Sequence, residues 1–526
     1  MFDNLTPPAK HARHGFIGRY FYVAISAVLG FGFVTVLLIL AIIYYWYHVI
    51  IGKEKFLKKA DETVTYPDIK SMKRTSDLRY YALAMKLDLQ EYRITTEDGY
   101  ILTLHRLIDP NETDLERQNR KPVLLQHGLL SCSGSYVTSG FHSLAYHILT
   151  SGYDVWLGNN RSWFEAKHAF YEGDLMHSEE YWDWDIRELA YYDLPCIIDN
   201  VLAHKPQHQK LAIVGHSQGC TQTFLMLKNG NLANYHNKVE VFFQLAPAIF
   251  PGPLFHKRAF IKFMHHRSKL GYKLFFGCCS FLRVLTITRN QLCTTRFFGS
   301  VSYVMFKFLF GWSGGLWNSN NKLRHFHFIF NVSRVSSKLM SWWLSEWVQE
   351  GFSNQLQSKE SYKSGENFSF TPVNSTNEVR GKQAEENDSK TYFPYKEQWF
   401  GLEEKSIIVP MVIFPGLEDY LVDGKRLATH MRHYERNVYK EGHNLDIHEL
   451  PAYDHLDVIW ADNVNDVIGI KITEKLNQIG NTSKSTSEDE AAIHNETEAL
   501  KESDSVGTQA SVLPSSSPLQ AGPSGQ

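Results

Sequence analysis

The six cysteines of this 526-residue chain, Cys132, Cys196, Cys220, Cys278, Cys279 and Cys293, form no C-x-x-C pair. That leaves no basis for a zinc knuckle or a thioredoxin-like redox motif. The adjacent Cys278 and Cys279 read as free thiols, buried or facing lipid, with palmitoylation as the alternative. A charge excess is also lacking: 54 Lys and Arg stand against 56 Asp and Glu, for a net charge of −2. Nucleic-acid binders carry a strong basic surplus, so nucleic acid is not an expected partner. Nothing calls for a cofactor or a metal. A third absence is local. From Tyr20 to Ile51 there is no Asp, Glu, Lys or Arg, while Lys10, Arg13 and Arg19 precede the run and Lys53, Lys55, Lys58 and Lys59 follow it.

A membrane-spanning helix needs about 20 apolar residues, so that run is longer than one crossing requires. No small-residue cleavage site follows, and the run exceeds the core of a signal peptide. It reads as a retained anchor over 20–51, behind a basic segment 1–19. The anchor is either one tilted span or a hairpin bent near Gly30 and Gly32; basic residues at both ends leave the choice open.

What the chain has in quantity is apolar material: 43% hydrophobic and 14% aromatic residues. After a lead-in over 52–86, residues 87–246 alternate buried-strand patterns (Pro122–Gln126, Tyr153–Leu157, Leu211–Val214, Val239–Leu245) with amphipathic stretches (Glu180–Leu202, Gly219–Leu227). That rhythm predicts an α/β fold with a mostly parallel sheet. It breaks over 247–400, where a helical, aromatic-rich insertion runs to about Gly351 and a polar, mobile loop covers 353–391. It resumes over 401–476, with a strand after Pro410 and a helix near Val464–Leu476. The tail 477–526 is Ser-, Glu- and Pro-rich and reads as disordered.

The sharpest local signal is Gly215-His216-Ser217-Gln218-Gly219, a G-x-S-x-G pentapeptide between the apolar run LAIV and a helix-compatible run. A nucleophilic serine must sit on a sharp strand-to-helix turn to expose its hydroxyl, and glycines relieve the crowding there. A serine hydroxyl also needs a base, oriented by an acid. In this fold the order is Ser, acid, His. Asp419 and Asp423 follow the strand Ile407–Phe414, with Asp419 nearer its end. Among 24 histidines, His455 precedes the apolar L-x-V-I-W run close to the chain's end, which its rivals His443 and His448 do not. An oxyanion requires preorganised N–H donors. Gln218, directly after the serine, and Leu129, in the Gln126-His127-Gly128-Leu129 loop, are the candidates; His127 and Gly128 read as conformational.

The stretches TTEDGYILTLHRL, VLLQHGLLSCS, GYDVWLGNNRS, YYDLPCIIDNVL, IVGHSQG and YDHLDVIWADNV, spread from about Glu91 to Trp460, resemble the acid lipases. That family includes gastric and lysosomal lipases and the membrane-bound yeast steryl ester hydrolases, which the N-terminal anchor makes the most similar. The resemblance implies an α/β-hydrolase fold with a helical cap, Ser217 as nucleophile, Asp419 as acid, His455 as base, and N–H donors at Leu129 and Gln218. The family's acid loop N-G-G-x-D-x-L-A-D appears here as PGLEDYLVD, with Gly416 alone of the glycine pair.

The implied substrate is a neutral lipid ester, steryl ester first and triacylglycerol or retinyl ester as alternatives. The implied location is a membrane or lipid-droplet surface: droplet, endoplasmic reticulum or plasma membrane. A non-catalytic scaffold would be expected to have lost one triad position. Sequons at Asn111, Asn331, Asn367, Asn374 and Asn387 would admit glycans in a luminal orientation.

Overall fold

Continuous apolar runs make strands that are buried on both faces, and half-polar runs make edges. Both kinds occur in one eight-stranded sheet of order β1-β2-β4-β3-β5-β6-β7-β8. The strands are β1 (Asp88–Thr95), β2 (Ile101–Ile108), β3 (Pro122–Gln126), β4 (Asp154–Gly158), β5 (Leu211–His216), β6 (Val239–Leu245), β7 (Met411–Phe414) and β8 (Leu445–Ile447). In β3, β4, β5 and β7 every residue is buried, whereas β1 is mostly exposed or half-buried. From β4 through β8 the pairing is parallel; β1 and β2 join antiparallel at one end.

The computed structural model describes residues 13–52, 65–67, 69, 71–312, 314–317, 323–355, 390–394, 397–403 and 406–481. Residues 471–526 form a second unit, whose described part, 471–481, is helical. Helix α1 (Phe16–Ile50) runs unbroken through Gly30 and Gly32, so a hairpin at those glycines is not what the chain adopts. It also begins ahead of Tyr20 and takes in Arg19. Backbone hydrogen bonds within an α-helix satisfy themselves, and isolated glycines weaken the helix without breaking it.

Other boundaries shift as well. A short helix, Leu78–Ala84, lies inside the lead-in, capped by the Asp77 carboxylate on the Arg79 N–H. The stretch expected as a helix from Glu180 becomes helical only at Ile186 and continues into α2 (Leu194–Ala203), because Asp185 and Glu188 form a capping box there. The last helix persists through residue 481, beyond the expected start of the tail at 477. Residues 356–389 of the expected mobile loop, and 482–526 of the tail, lie outside the described residues.

Between β6 and β7 the chain leaves the sheet. There it forms α4 (Lys269–Phe276), α5 (Arg283–Leu292), α6 (Arg296–Phe310) and α7 (Ser337–Leu344), with shorter helices between. Helix α3 (Gln218–Leu227) follows β5, and α8 (Gly424–His433) follows β7. The core under this insertion is continuous with the sheet: Ile213, Phe242, Phe250, Phe276, Leu339 and Trp342 belong to one buried cluster.

Candidate active site

The turn from β5 into α3 is strained where the chemistry would need it. Ser217 has φ 52° and ψ −114°, a conformation that costs a non-glycine residue on the order of 1–3 kcal/mol. Flanking glycines admit it. A Cβ at Gly219 would stand 2.4 Å from the Gln126 carbonyl oxygen, at the end of the neighbouring strand β3. At Gly215 it would meet the Cys220 nitrogen at 3.0 Å. The elbow is therefore wedged between its own helix and the loop after β3.

His455 and Asp419 arrive from loops behind later strands. Ser217 Oγ lies 2.8 Å from His455 Nε2, and His455 Nδ1 lies 2.6 Å from Asp419 Oδ2. An ionised carboxylate only accepts, so Nδ1 carries the proton and Nε2 turns its lone pair to the serine. The other Asp419 oxygen accepts from the Leu421 and Val422 N–H groups at 2.9 and 3.3 Å. The retained glycine of this loop has a steric cause: a Cβ at Gly416 would be 2.6 Å from the Tyr453 carbonyl, so the acid loop presses directly on the histidine loop. Asp423 lies at a different task, accepting from Arg426 N–H at 2.9 Å as the N-cap of α8. His448 packs its ring on Phe414 and His443 is exposed; neither is brought to Ser217.

The loop carrying Leu129 passes close above the serine. A Cβ at Gly128 would sit 3.0 Å from Ser217 Cβ. No backbone carbonyl among the described residues accepts from the Leu129 or Gln218 N–H. His127 fixes this loop. Its Nδ1–H donates to the Gly128 carbonyl at 2.8 Å, and its Nε2 accepts from Asn160 N–H at 3.2 Å. In a trans peptide the C=O and the next N–H point opposite ways. By holding the Gly128 carbonyl, His127 thus aims the Leu129 N–H. Burial pushes the His127 pKa down to about 4, so the ring stays neutral and keeps this tautomer.

His216 is neutral for the same reason, lowered to about 3 by burial and by His455 beside it. Its Nε2–H donates to the His455 backbone carbonyl at 2.9 Å, tying the His455 loop to the elbow. Asp457, two residues after the base, goes the other way. Burial, then repulsion from Asp454, raises its carboxyl to about 8. It accepts from the Asp454 N–H at 2.7 Å.

Behind the elbow, Gln126 and Gln222 both reach Asn160: the Gln126 amide donates to its oxygen at 2.8 Å, and its own amide donates to Gln222 at 3.0 Å. Arg161 is buried between Asp193 and Asp98, at 2.7 and 2.8 Å. These ion pairs join the TTEDG, NNRS and YYD stretches, which lie far apart in sequence and hold one another in place.

Several residues that matter at the site carry no sequence signal of their own. Trp312, just past α6, stacks on the His455 ring with 10° between planes and 5.5 Å between centroids. Trp343 Nε1–H donates to Gln218 Oε1 at 3.0 Å. The Leu130 carbonyl accepts from Val332 N–H at 2.7 Å. The insertion thereby rests on His455, on the elbow and on the candidate oxyanion loop. Ser217, Asp419 and His455 are correspondingly 7%, 6% and 3% exposed. The aromatic wealth of the insertion was visible in the sequence; which rings reach the site was not.

Asn331 is buried and accepts from Ser135 Oγ at 3.2 Å, so a glycan at that sequon is sterically incompatible with the fold; Asn111 is exposed, and Asn367, Asn374 and Asn387 lie outside the described residues. All six cysteines are free thiols, with the Cys278 and Cys279 sulfurs 3.9 Å apart.

A mostly parallel sheet with a strained serine after its central strand, and a helical insertion before the last strands, defines the α/β-hydrolase class. Family models agree: residues 78–140 match the partial alpha/beta-hydrolase lipase region, and residues 121–231 match the alpha/beta hydrolase fold. The chain is 36% identical to Sterol esterase 2 of Saccharomyces cerevisiae over 77% of its own length and 72% of that protein. It is 27% identical to human gastric triacylglycerol lipase over 73% and 88% of the two chains. Lipase 1 of Drosophila melanogaster matches at 35% over 44% of this chain and 52% of the fly protein. The chain belongs to the acid-lipase family of α/β hydrolases.

Proposed function

We propose that the protein hydrolyses carboxylic esters of very apolar lipids, steryl esters above all, through an acyl-enzyme on Ser217. In this reading His455 Nε2 takes the hydroxyl proton as Oγ attacks the ester carbonyl. Asp419 holds the imidazole in its Nδ1–H tautomer and stabilises the imidazolium that forms. The Leu129 and Gln218 N–H groups receive the developing oxyanion. His455 then returns the proton to the departing sterol oxygen. Water, deprotonated by the same nitrogen, releases the fatty acid from Ser217.

The single observation that carries this reading is the unbroken hydrogen-bonded line from Ser217 through His455 to Asp419 beneath an aromatic insertion. The identity to Sterol esterase 2 supports the steryl ester substrate. The similarity to gastric triacylglycerol lipase supports triacylglycerol as a second substrate class. The experiment is an assay of purified protein on a panel of steryl, triacylglycerol and retinyl esters. Preference for steryl esters upholds the proposal; preference for triacylglycerols shifts it to the second reading; inactivity on all of them favours a non-catalytic scaffold.

Helix α1 is the one helix among the described residues long and apolar enough to cross a membrane. It supports residence at the membrane or droplet surface where such esters dissolve: lipid droplet, endoplasmic reticulum or plasma membrane. Burying an acyl chain's CH₂ groups favours leaving water by about 0.8 kcal/mol each, so the enzyme must go to the lipid.

A further inference from the structure

We infer that α1 and the helices of the insertion form one continuous face that embeds in a single leaflet of anionic lipid, with α1 lying along the surface instead of crossing it. The inference rests on the reading of α1 as a membrane element.

Length is the first observation. At 35 residues, α1 extends about 52 Å, well beyond the roughly 30 Å of a bilayer's hydrocarbon core. The second is where α1 touches the rest of the protein, which is along nearly its whole length. Arg13 pairs with Glu180, and His14 Nδ1 lies 2.6 Å from Glu179. Further along, Phe33 stacks on Phe263 at 5.5 Å, and Tyr44 meets Phe308 at 5.6 Å. Between these, a Cβ at Gly30 would stand 3.2 Å from the Phe275 carbonyl oxygen, so the backbones of α1 and α4 approach each other closely there. Within the helix, from Tyr20 against His177 to Tyr44 against Phe308, the contacts cover about 36 Å. Were α1 to cross the bilayer with these contacts intact, Glu179 and Glu180 would be drawn to the membrane with it, and the body of the enzyme would fill the hydrocarbon layer. Buried charge there is costly, and irregular backbone facing lipid does not occur.

The opposite side of α1 is apolar, with Ile17, Val28, Phe31, Ile43 and Ile50 each more than 59% exposed (84%, 72%, 61%, 60% and 81%). Its neighbours extend that face. Leu270 on α4, Ile287 on α5 and Phe297 on α6 are 57%, 45% and 63% exposed, and all three helices pack on α1. An apolar face of this kind seats at the boundary between headgroups and acyl chains.

Charge supplies the identity of the lipid. Residues 241–345 contain no Asp or Glu and 14 Lys and Arg, in a chain whose overall charge is −2. Lys257, Lys262, Lys269 and Arg296 among them are exposed. Basic residues beside an inserted apolar face are attracted to anionic headgroups. Such a surface would deliver an ester dissolved in the leaflet to the insertion without passage through water. It would also suit the monolayer that coats an oil droplet, which a spanning helix cannot enter.

The test uses the full chain with one tag at each end, bound to sealed vesicles of phosphatidylcholine with phosphatidylserine and treated with protease from outside. Molecules that lose the C-terminal tag are expected to lose the N-terminal tag as well; an N-terminal tag surviving on a protected fragment would overturn the inference. Flotation with oil droplets coated by the same phospholipids should recover as much protein as flotation with vesicles, and exclusion from droplets would contradict it. Exchanging Lys262→Glu together with Lys269→Glu should weaken droplet binding by roughly tenfold, and no change would remove the anionic-lipid part. A wild-type chain that floats with neither lipid sinks the membrane reading itself, an outcome distinct from a protected tag.

Discussion

The sheet edge around Ser217 and the insertion that covers it are built from opposite materials. At the sheet edge, short-range hydrogen bonds fix each polar group: Asp419 by the Leu421 and Val422 N–H groups, His127 by Gly128 and Asn160, His216 by the His455 carbonyl. Across the insertion, contacts to the site are made by large rings, Trp312 on His455 and Trp343 on Gln218. In the proposed reading the first region meets the charge that appears in a transition state, and the second is the apolar surface that faces a bulky ester. Substitutions at the edge should therefore strike turnover, while substitutions in the insertion should strike substrate choice and apparent affinity.

The largest effect belongs to Ser217→Ala, which should lower kcat by roughly 10⁴–10⁶-fold and leave the far-ultraviolet circular dichroism unchanged. Asp419→Asn should cost about 10⁴-fold in kcat, because an amide can donate to Nδ1 and leave His455 in the tautomer that cannot act as base. Asp423→Ala provides the contrast: it should cost about 0.5–2 kcal/mol of stability through the lost N-cap of α8 and leave kcat near wild type. If Asp423 proved the more damaging of the two, the assignment of the acid would be reversed.

His127→Ala comes next. Freeing the Gly128 peptide should misalign the Leu129 donor and lower kcat by roughly 10- to 100-fold, less than deletion of a donor outright, with KM on a short soluble ester little changed. A fall in stability without that kcat-specific loss would make His127 merely structural. In the insertion, Trp343→Phe removes the hydrogen bond to Gln218 while keeping a ring. A few-fold rise in KM for long-chain esters, with short esters unaffected, is the expected pattern, measured by steady-state kinetics on both.

The smallest effect concerns pH. Asp457 has its folded pKa raised, from the ordinary 3.8 to about 8, by burial and by Asp454. A raised group favours the fold while protonated, so its contribution is complete below the unfolded pKa and is lost as pH rises through the folded value. Thermal stability should therefore decline progressively from about pH 4 to about pH 8 and level off above, and Asp457→Asn, which stays neutral, should flatten that decline.

How much of this was legible from residues alone follows the same division. Ser217 was legible because the elbow is local: an apolar strand, two glycines and a helix within a dozen residues or so. Asp419 and His455 were reached through chain order and family resemblance, since nothing local distinguishes Asp419 from the helix-capping Asp423. Strand β1 is hard to read because the apolar residues of DLQEYRIT keep no regular period, and β8 is too short to show one. Trp312 and Trp343 were hidden among other aromatics, because which ring reaches the site depends on how helices far apart in sequence cross. The unbroken course of α1 was undecided for a related reason: glycine permits a bend, and packing of Gly30 against Phe275 removes the need for one.

The most direct measurement is active-site labelling. A fluorophosphonate probe with a fragment map by mass spectrometry should place its adduct on Ser217 alone, and preincubation with a steryl ester substrate should slow the labelling. Label on another serine, or full steryl ester turnover by protein lacking the Ser217 hydroxyl, would contradict the account.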